Sequence, residues 1–156
     1  MRAVMIVAFA AACGGGGGGG GGKQTQVPVP PKQPPITASE VVGYWTGDWG
    51  RLVLRESNGR VIGVYDHDEG TVSGAMNGNT FVGWWCEAPS RQPAKDAGDV
   101  ELTFSTGPSG KTIDGRWRYG ADGAWREDWD LAWNAGEPPP ELVARFSDPA
   151  AFCAKP

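Results

Sequence analysis

Beyond residue 40 the chain alternates apolar and polar positions over short runs, and each run stops at Gly, Asn or Asp. A period of two marks a strand half buried in a sheet. The pattern predicts strands over residues 41–49, 51–57, 60–67, 71–77, 80–87, 100–106, 111–119 and 125–133. Asn58-Gly59 is a strong two-residue hairpin signal. Residues 68–70, 78–79, 107–110 and 120–123 supply further tight turns, and residues 88–98 form the longest loop. A helical period is expected only over residues 140–146.

Four of these strands share one motif, apolar-x-Gly-x-large: Val61-Gly63-Tyr65, Val72-Gly74-Met76, Phe81-Gly83-Trp85 and Ile113-Gly115-Trp117. Positions i, i+2 and i+4 of a strand share a face. Each repeat therefore sets an apolar residue, a bare spot and a large side chain on one side. Glycine weakens a strand interior. Repeated in register, it permits the curvature of a small closed sheet, and neighbouring rings can cover the gap. Leu52 and Leu54, then Val100, Leu102 and Phe104, then Trp125, Trp129, Leu131 and Trp133 extend the same face. The other face of the later strands is polar, with Glu101, Thr103, Ser105, Asp114, Arg116, Arg118, Arg126, Asp128 and Asp130. One dry side and one wet side describe an antiparallel sheet. The expected fold class is all-β, an antiparallel up-and-down meander of about eight short strands closed into a barrel, since closure removes the edges.

Gly43-Tyr44-Trp45, at the first strand, is similar to the Gly-x-Trp that opens lipocalin barrels. With the meander, the body resembles the calycin group of lipocalins, fatty-acid-binding proteins and avidins. The Gly-x-aromatic hairpins also resemble MORN repeats, without their regular spacing. These resemblances imply a small binding or structural domain with no reaction attached.

The head of the chain has another character. Residues 14–22 are nine consecutive glycines, and five of the 13 prolines fall between Pro28 and Pro35, whereas all eight tryptophans lie from Trp45 to Trp133. The glycine run pays the largest ordering entropy and buries nothing. The proline segment is stiffer and polyproline-like. Together they read as a swivel and a strut over residues 13–39, ahead of a barrel domain over 40–137 and a tail over 138–156 packed on it. Three of the 14 basic residues precede residue 40, leaving 11 against 18 acidic. That balance argues against a nucleic-acid partner, which would want a basic face.

Residues 1–12 read as a signal segment, with Arg2, an apolar run and then Ala10-Ala11-Ala12 before Cys13. This resembles the lipobox of bacterial lipoproteins, although Ala10 stands where that family usually has Leu. The resemblance implies that Cys13 is cleaved free and acylated (palmitate included), making the membrane its partner. Durable anchoring takes more than one chain. Gly14 after Cys13 is similar to lipoproteins sent to the outer membrane, so the implied address is the cell envelope. With Cys13 so used, Cys86 and Cys153 form an even pair in an exported protein. Their bridge would pin the tail and close a loop of about 67 residues, worth about 4 kcal/mol.

No catalytic set, cofactor motif or metal pattern is expected. The one histidine, His67, sits in Asp66-His67-Asp68-Glu69-Gly70 and reads as a solvated turn, with no cysteines at zinc spacing. Glu87 and Glu127 share the parity of the dry face. A carboxylate there is costly unless paired, and two of them could act on a glycosidic bond. Trp49, Trp84 and Tyr44 carry the opposite parity and are the candidates for exposed ligand contacts. So many rings in a narrow barrel leave a small cavity or none.

The expectation is a lipid-anchored envelope protein whose barrel binds a ligand or plays a structural role without catalysis. Its partner could be an envelope glycan or a small apolar ligand. The alternatives are a carbohydrate- or cell-wall-binding module using exposed tryptophans, and a glycan-acting enzyme using Glu87 and Glu127. In cells fed labelled fatty acid, the wild-type protein should take up label and Cys13→Ser should not. Equal labelling of both would remove the anchor.

Overall fold

A computed structural model describes residues 34–156. The signal segment, Cys13 and the glycine run lie outside the described residues. Eight antiparallel strands follow one another around a closed barrel: β1 (Gly43–Gly47), β2 (Gly50–Ser57), β3 (Arg60–Tyr65), β4 (Thr71–Asn77), β5 (Thr80–Cys86), β6 (Ala97–Gly107), β7 (Gly110–Trp117) and β8 (Leu131–Asn134). Each pairs with its sequence neighbour, and β8 returns to β1 through Tyr44↔Asn134 to Gly47↔Leu131. Its other side pairs with β7 at two positions, Thr112↔Ala132 and Ile113↔Leu131. The expected up-and-down barrel is therefore present, with its seam at the shortest of these late strands.

The core is the predicted dry face. Leu52, Leu54, Val61, Val72, Phe81, Val100, Leu102, Phe104 and Ile113 are buried inside, with Tyr65, Trp85, Trp117 and Trp129. The bare spots are filled by neighbours. Gly74 and Gly83 face each other across β4 and β5. A Cβ on either would run into the Phe81 ring. One end of the barrel is plugged by helix α1 (Ala38–Val41). Val41 is buried there, and its carbonyl accepts from the Trp45 indole N–H at 3.2 Å. The globular body thus begins before residue 40, since Ile36 and Ala38 already pack on the core.

The C-terminal segment closes over the outside. Helix α2 (Pro140–Ala144) buries Leu142 against Val53 and Val64 of the outer face, joined by Tyr44, Phe146 and Phe152. Further along, Cys86 and Cys153 form a disulfide with Cα atoms 6.2 Å apart. Beside it Asp99, 7% exposed, receives Arg118 and Lys155, each at 2.6 Å. Burial alone would push this carboxyl up, but the Lys155 and Arg118 hydrogen bonds outweigh it and hold Asp99 below its ordinary value.

Three ring placements differ from the sequence expectation. Trp125, expected inside, lies on the outer face between the guanidinium groups of Arg116 and Arg118, at 4.5 and 4.6 Å. The expected strand over 125–133 shrinks to β8 and an isolated bridge of Arg126 to Trp117, so alternation counted back from β8 has no continuous ladder to enforce it. Trp133 has the inward parity and packs edge-on against Trp45, yet is 37% exposed at the barrel end. Trp49, expected outside, belongs to the β1–β2 turn and packs against the core.

Gly83→Ala should cost about 1–3 kcal/mol of stability through overpacking, seen as an earlier denaturation midpoint. Gly107→Ala, whose new methyl meets nothing within 4 Å, should stay within about 0.5 kcal/mol of wild type.

Candidate functional site

The strand polarity decides where the large residues of the repeats go. In an up-and-down barrel the odd strands all run one way. Tyr65, Trp85 and Trp117 close the repeats of β3, β5 and β7, so they gather at one end. The repeat of β4 runs the other way. Met76 pairs with Phe81, whereas Val72 pairs with Trp85, so Met76 goes to the plugged end. One end of the barrel is thus stoppered by α1, and the other is ringed by aromatics.

At that second end lies a cavity of about 150 Å³, lined by Trp49, Tyr65, His67, Trp85, Glu87, Trp117, Tyr119 and Trp129. The rings meet edge to face. Trp49 and Trp117 stand at 90° with centroids 5.5 Å apart, and Trp85 and Trp117 at 87° and 5.2 Å. Trp49 is fixed in this wall by donating its indole N–H to the Asp128 carbonyl at 2.7 Å. Trp117 donates to the Asp128 carboxylate at 2.7 Å. Trp85 donates to the Arg118 carbonyl at 3.1 Å. Trp129 is buried, and its indole N–H has no hydrogen-bond partner among the described residues. A buried donor left unpaired costs about 1–3 kcal/mol, so this wall carries unspent hydrogen-bonding capacity.

Glu87 is the carboxylate of the cavity. Its Oε1 accepts the Tyr65 hydroxyl at 2.7 Å and lies 3.2 Å from His67 Nδ1. Burial pushes Glu87 above its ordinary range, more than the Tyr65 and His67 contacts pull it down. The same burial, joined by the Glu87 charge, holds the Tyr65 phenol well above its usual value, so it remains a donor. His67 also packs edge-on to Trp49, with centroids 4.8 Å apart.

The turn that presents His67 has two residues, Asp68 and Glu69, at positive φ (38° and 51°). Such conformations persist where surrounding structure over-determines them. Here Arg145 donates to the Tyr65 and Gly70 carbonyls at 2.8 and 2.9 Å, and the Ala88 N–H donates to the Asp68 carbonyl at 2.8 Å. The tail and the loop after β5 thus hold the turn in place. His67, Asp68 and Glu87 bring ligand atoms within 4.8 Å of one another, the one group of three among the described residues that could hold a metal ion.

The sequence candidates fare unevenly. Glu87 is in the cavity, as its parity indicated. Glu127 is exposed and absent from the lining, so the two carboxylates are not brought together there. Trp49 is in the site, but from the inside. Trp84 and Tyr44 do face outward, yet they are not open contacts. Trp84 is 3% exposed beneath Cys153, and Tyr44 is half-buried under the tail. His67, read as a solvated turn, belongs to the site. Its signal was available: it continues the parity of Val61, Gly63 and Tyr65, as Glu87 continues that of Trp85. No protein-family model, curated protein or solved structure matches the chain.

A carboxyl whose folded-state pKa is raised favours its neutral form on folding. Its charge therefore costs stability above the folded-state value, and that cost disappears below the unfolded value of 4.5. Glu87→Gln should accordingly raise the melting temperature near neutral pH, with the advantage shrinking once pH falls below 4.5. An advantage independent of pH would show that burial of this charge is not its origin.

Proposed function

We propose that this chain is an exported, lipid-anchored binding module of the bacterial cell envelope. Cys13 would hold it to the membrane, the outer one by the resemblance of its following glycine, and the Gly/Pro segment would hold the barrel away from the surface. The mouth of the barrel would take one compact ligand without transforming it.

The observation that carries the binding role is the aromatic cavity. Ligand sites are concave, mostly apolar and furnished with a few placed polar groups. This one combines a ring-lined wall with Glu87, Tyr65 and His67 at hydrogen-bond distances. Its volume of about 150 Å³ equals that of an engineered protein cavity that admits benzene. One ring-sized or similarly compact group is the natural occupant. The reading as a module with exposed tryptophans for glycans loses its residues to the tail, since Trp84 and Tyr44 are covered. The reading as a glycan-acting enzyme asks for two carboxylates flanking one bond, and Glu127 is elsewhere.

Intrinsic tryptophan fluorescence gives a direct test, because four of the eight tryptophans wall the cavity. Titration with choline, benzyl alcohol, a cell-wall disaccharide and a short-chain phospholipid should give a saturable change with a compact solute. No saturable change with either choline or benzyl alcohol would sink the proposal.

A further inference from the structure

We propose that the mouth cavity selects a compact organic cation of the alkylated-ammonium class, held by the rings of Trp49, Trp85, Trp117 and Tyr119 and by the carboxylate of Glu87. The inference rests on the cavity being a ligand site and names what that site takes.

Ring orientation is the first argument. A flat sugar stacks on one exposed ring face. A near-spherical group is contacted from several sides by rings standing at steep angles. Trp49 and Trp117 stand at 90°, Trp85 and Trp117 at 87°, and Trp117 and Tyr119 at 76°. Aromatic faces carry negative potential, and several of them around one volume form the type of cage that recognises quaternary ammonium groups.

Charge is the second. Glu87 is largely desolvated, with a side chain 15% exposed. Among the described residues, no Lys or Arg lies within 4 Å of it; its one ion-pair partner is His67 at 3.2 Å, a group charged only when protonated. A desolvated carboxylate with no permanent counter-charge is costly. A cationic ligand would supply the missing charge. The same rings already attract a cation of the protein itself. The Arg126 guanidinium lies 4.9 Å from the Trp117 centroid and 5.4 Å from that of Tyr119, yet Arg126 is not part of the cavity lining.

Hydrogen-bond capacity decides between cations. A primary ammonium would bring three N–H donors, whereas the one carboxylate of the lining has its Oε1 engaged by Tyr65 and His67, which leaves chiefly Oε2 to receive them. An alkylated ammonium carries methyl groups in place of those donors and suits a cavity whose walls are mostly ring. Such a group occurs both on small solutes and on choline-bearing lipid headgroups, and the chemistry is shared.

The probes are choline and 3,3-dimethyl-1-butanol, its uncharged isostere with carbon in place of nitrogen. They would be titrated against the full mature chain, with phosphatidylcholine and phosphatidylglycerol vesicles as a separate arm. Choline should bind at least about tenfold more tightly than the isostere, as a few cation–π contacts and one carboxylate would give. Glu87→Gln, which keeps an acceptor for Tyr65, should erase most of that preference by weakening choline far more than the isostere. Trp49→Leu should weaken both probes, choline more than the isostere, and so narrow the preference from the aromatic side. Preference for phosphatidylcholine vesicles over phosphatidylglycerol would support the class and assign the source to lipid, and choline binding alone would assign it to solutes. Equal affinity for choline and its isostere in the wild type would overturn the cation assignment while leaving the cavity a binding site. Binding of neither, with benzyl alcohol still bound, would likewise overturn it, and this wild-type comparison does not depend on any variant folding.

Discussion

The interior of an eight-stranded barrel is too narrow for every inward position to be large, and that limit organises this protein. Rings and glycines alternate along the strands because the rings need the space the glycines leave. Phe81 shows it most plainly: its ring lies over both Gly74 and Gly83, which face each other on adjacent strands. The packing is therefore interlocked between strands, and no strand could slip by one residue without exposing its rings and burying its charges. A closed wall with one register follows from that interlock.

The same constraint places the site. A repeat that always ends in a large residue gives opposite results on strands of opposite direction. On β3, β5 and β7 it brings Tyr65, Trp85 and Trp117 to the mouth, and on β4 it sends Met76 to the far end. The far end is finished by α1. At the mouth, Trp49 comes in from a turn and Trp129 from the connection before β8. These residues wall a space that the strands alone leave unfilled. Glu87 and His67 lie just past the ends of β5 and β3, where the pleat still aims them inward but regular pairing has stopped.

Much of this was legible in the sequence, and the boundary has a physical cause. Alternation is reliable where ladder hydrogen bonds enforce it. It gave β4 to the residue, the inward set from Leu52 to Ile113, and Glu87. It failed at Trp49 and Trp125, which lie in a turn and in a connection held by the single bridge Trp117↔Arg126, where successive side chains are under no obligation to alternate. It also could not show that the outward residues Tyr44 and Trp84 would be covered. Their burial depends on where a tail almost sixty residues or more further along the chain comes to rest, and that is set by Leu142, the disulfide and the Asp99 ion pairs together. His67 was legible by parity, but a histidine among acids in a turn has a simpler reading when its neighbours in space are unknown.

Cys86 and Glu87 are adjacent, and this joins two features that otherwise look separate. The cross-link to Cys153 fixes the strand end from which Glu87 reaches into the mouth, while Ala151, two residues before Cys153, accepts hydrogen bonds from Thr71 and Arg91. Reduction of the bridge would consequently free the strand end that carries Glu87. A single bridge on the outside of the barrel thus steadies the geometry of the wall at its open end.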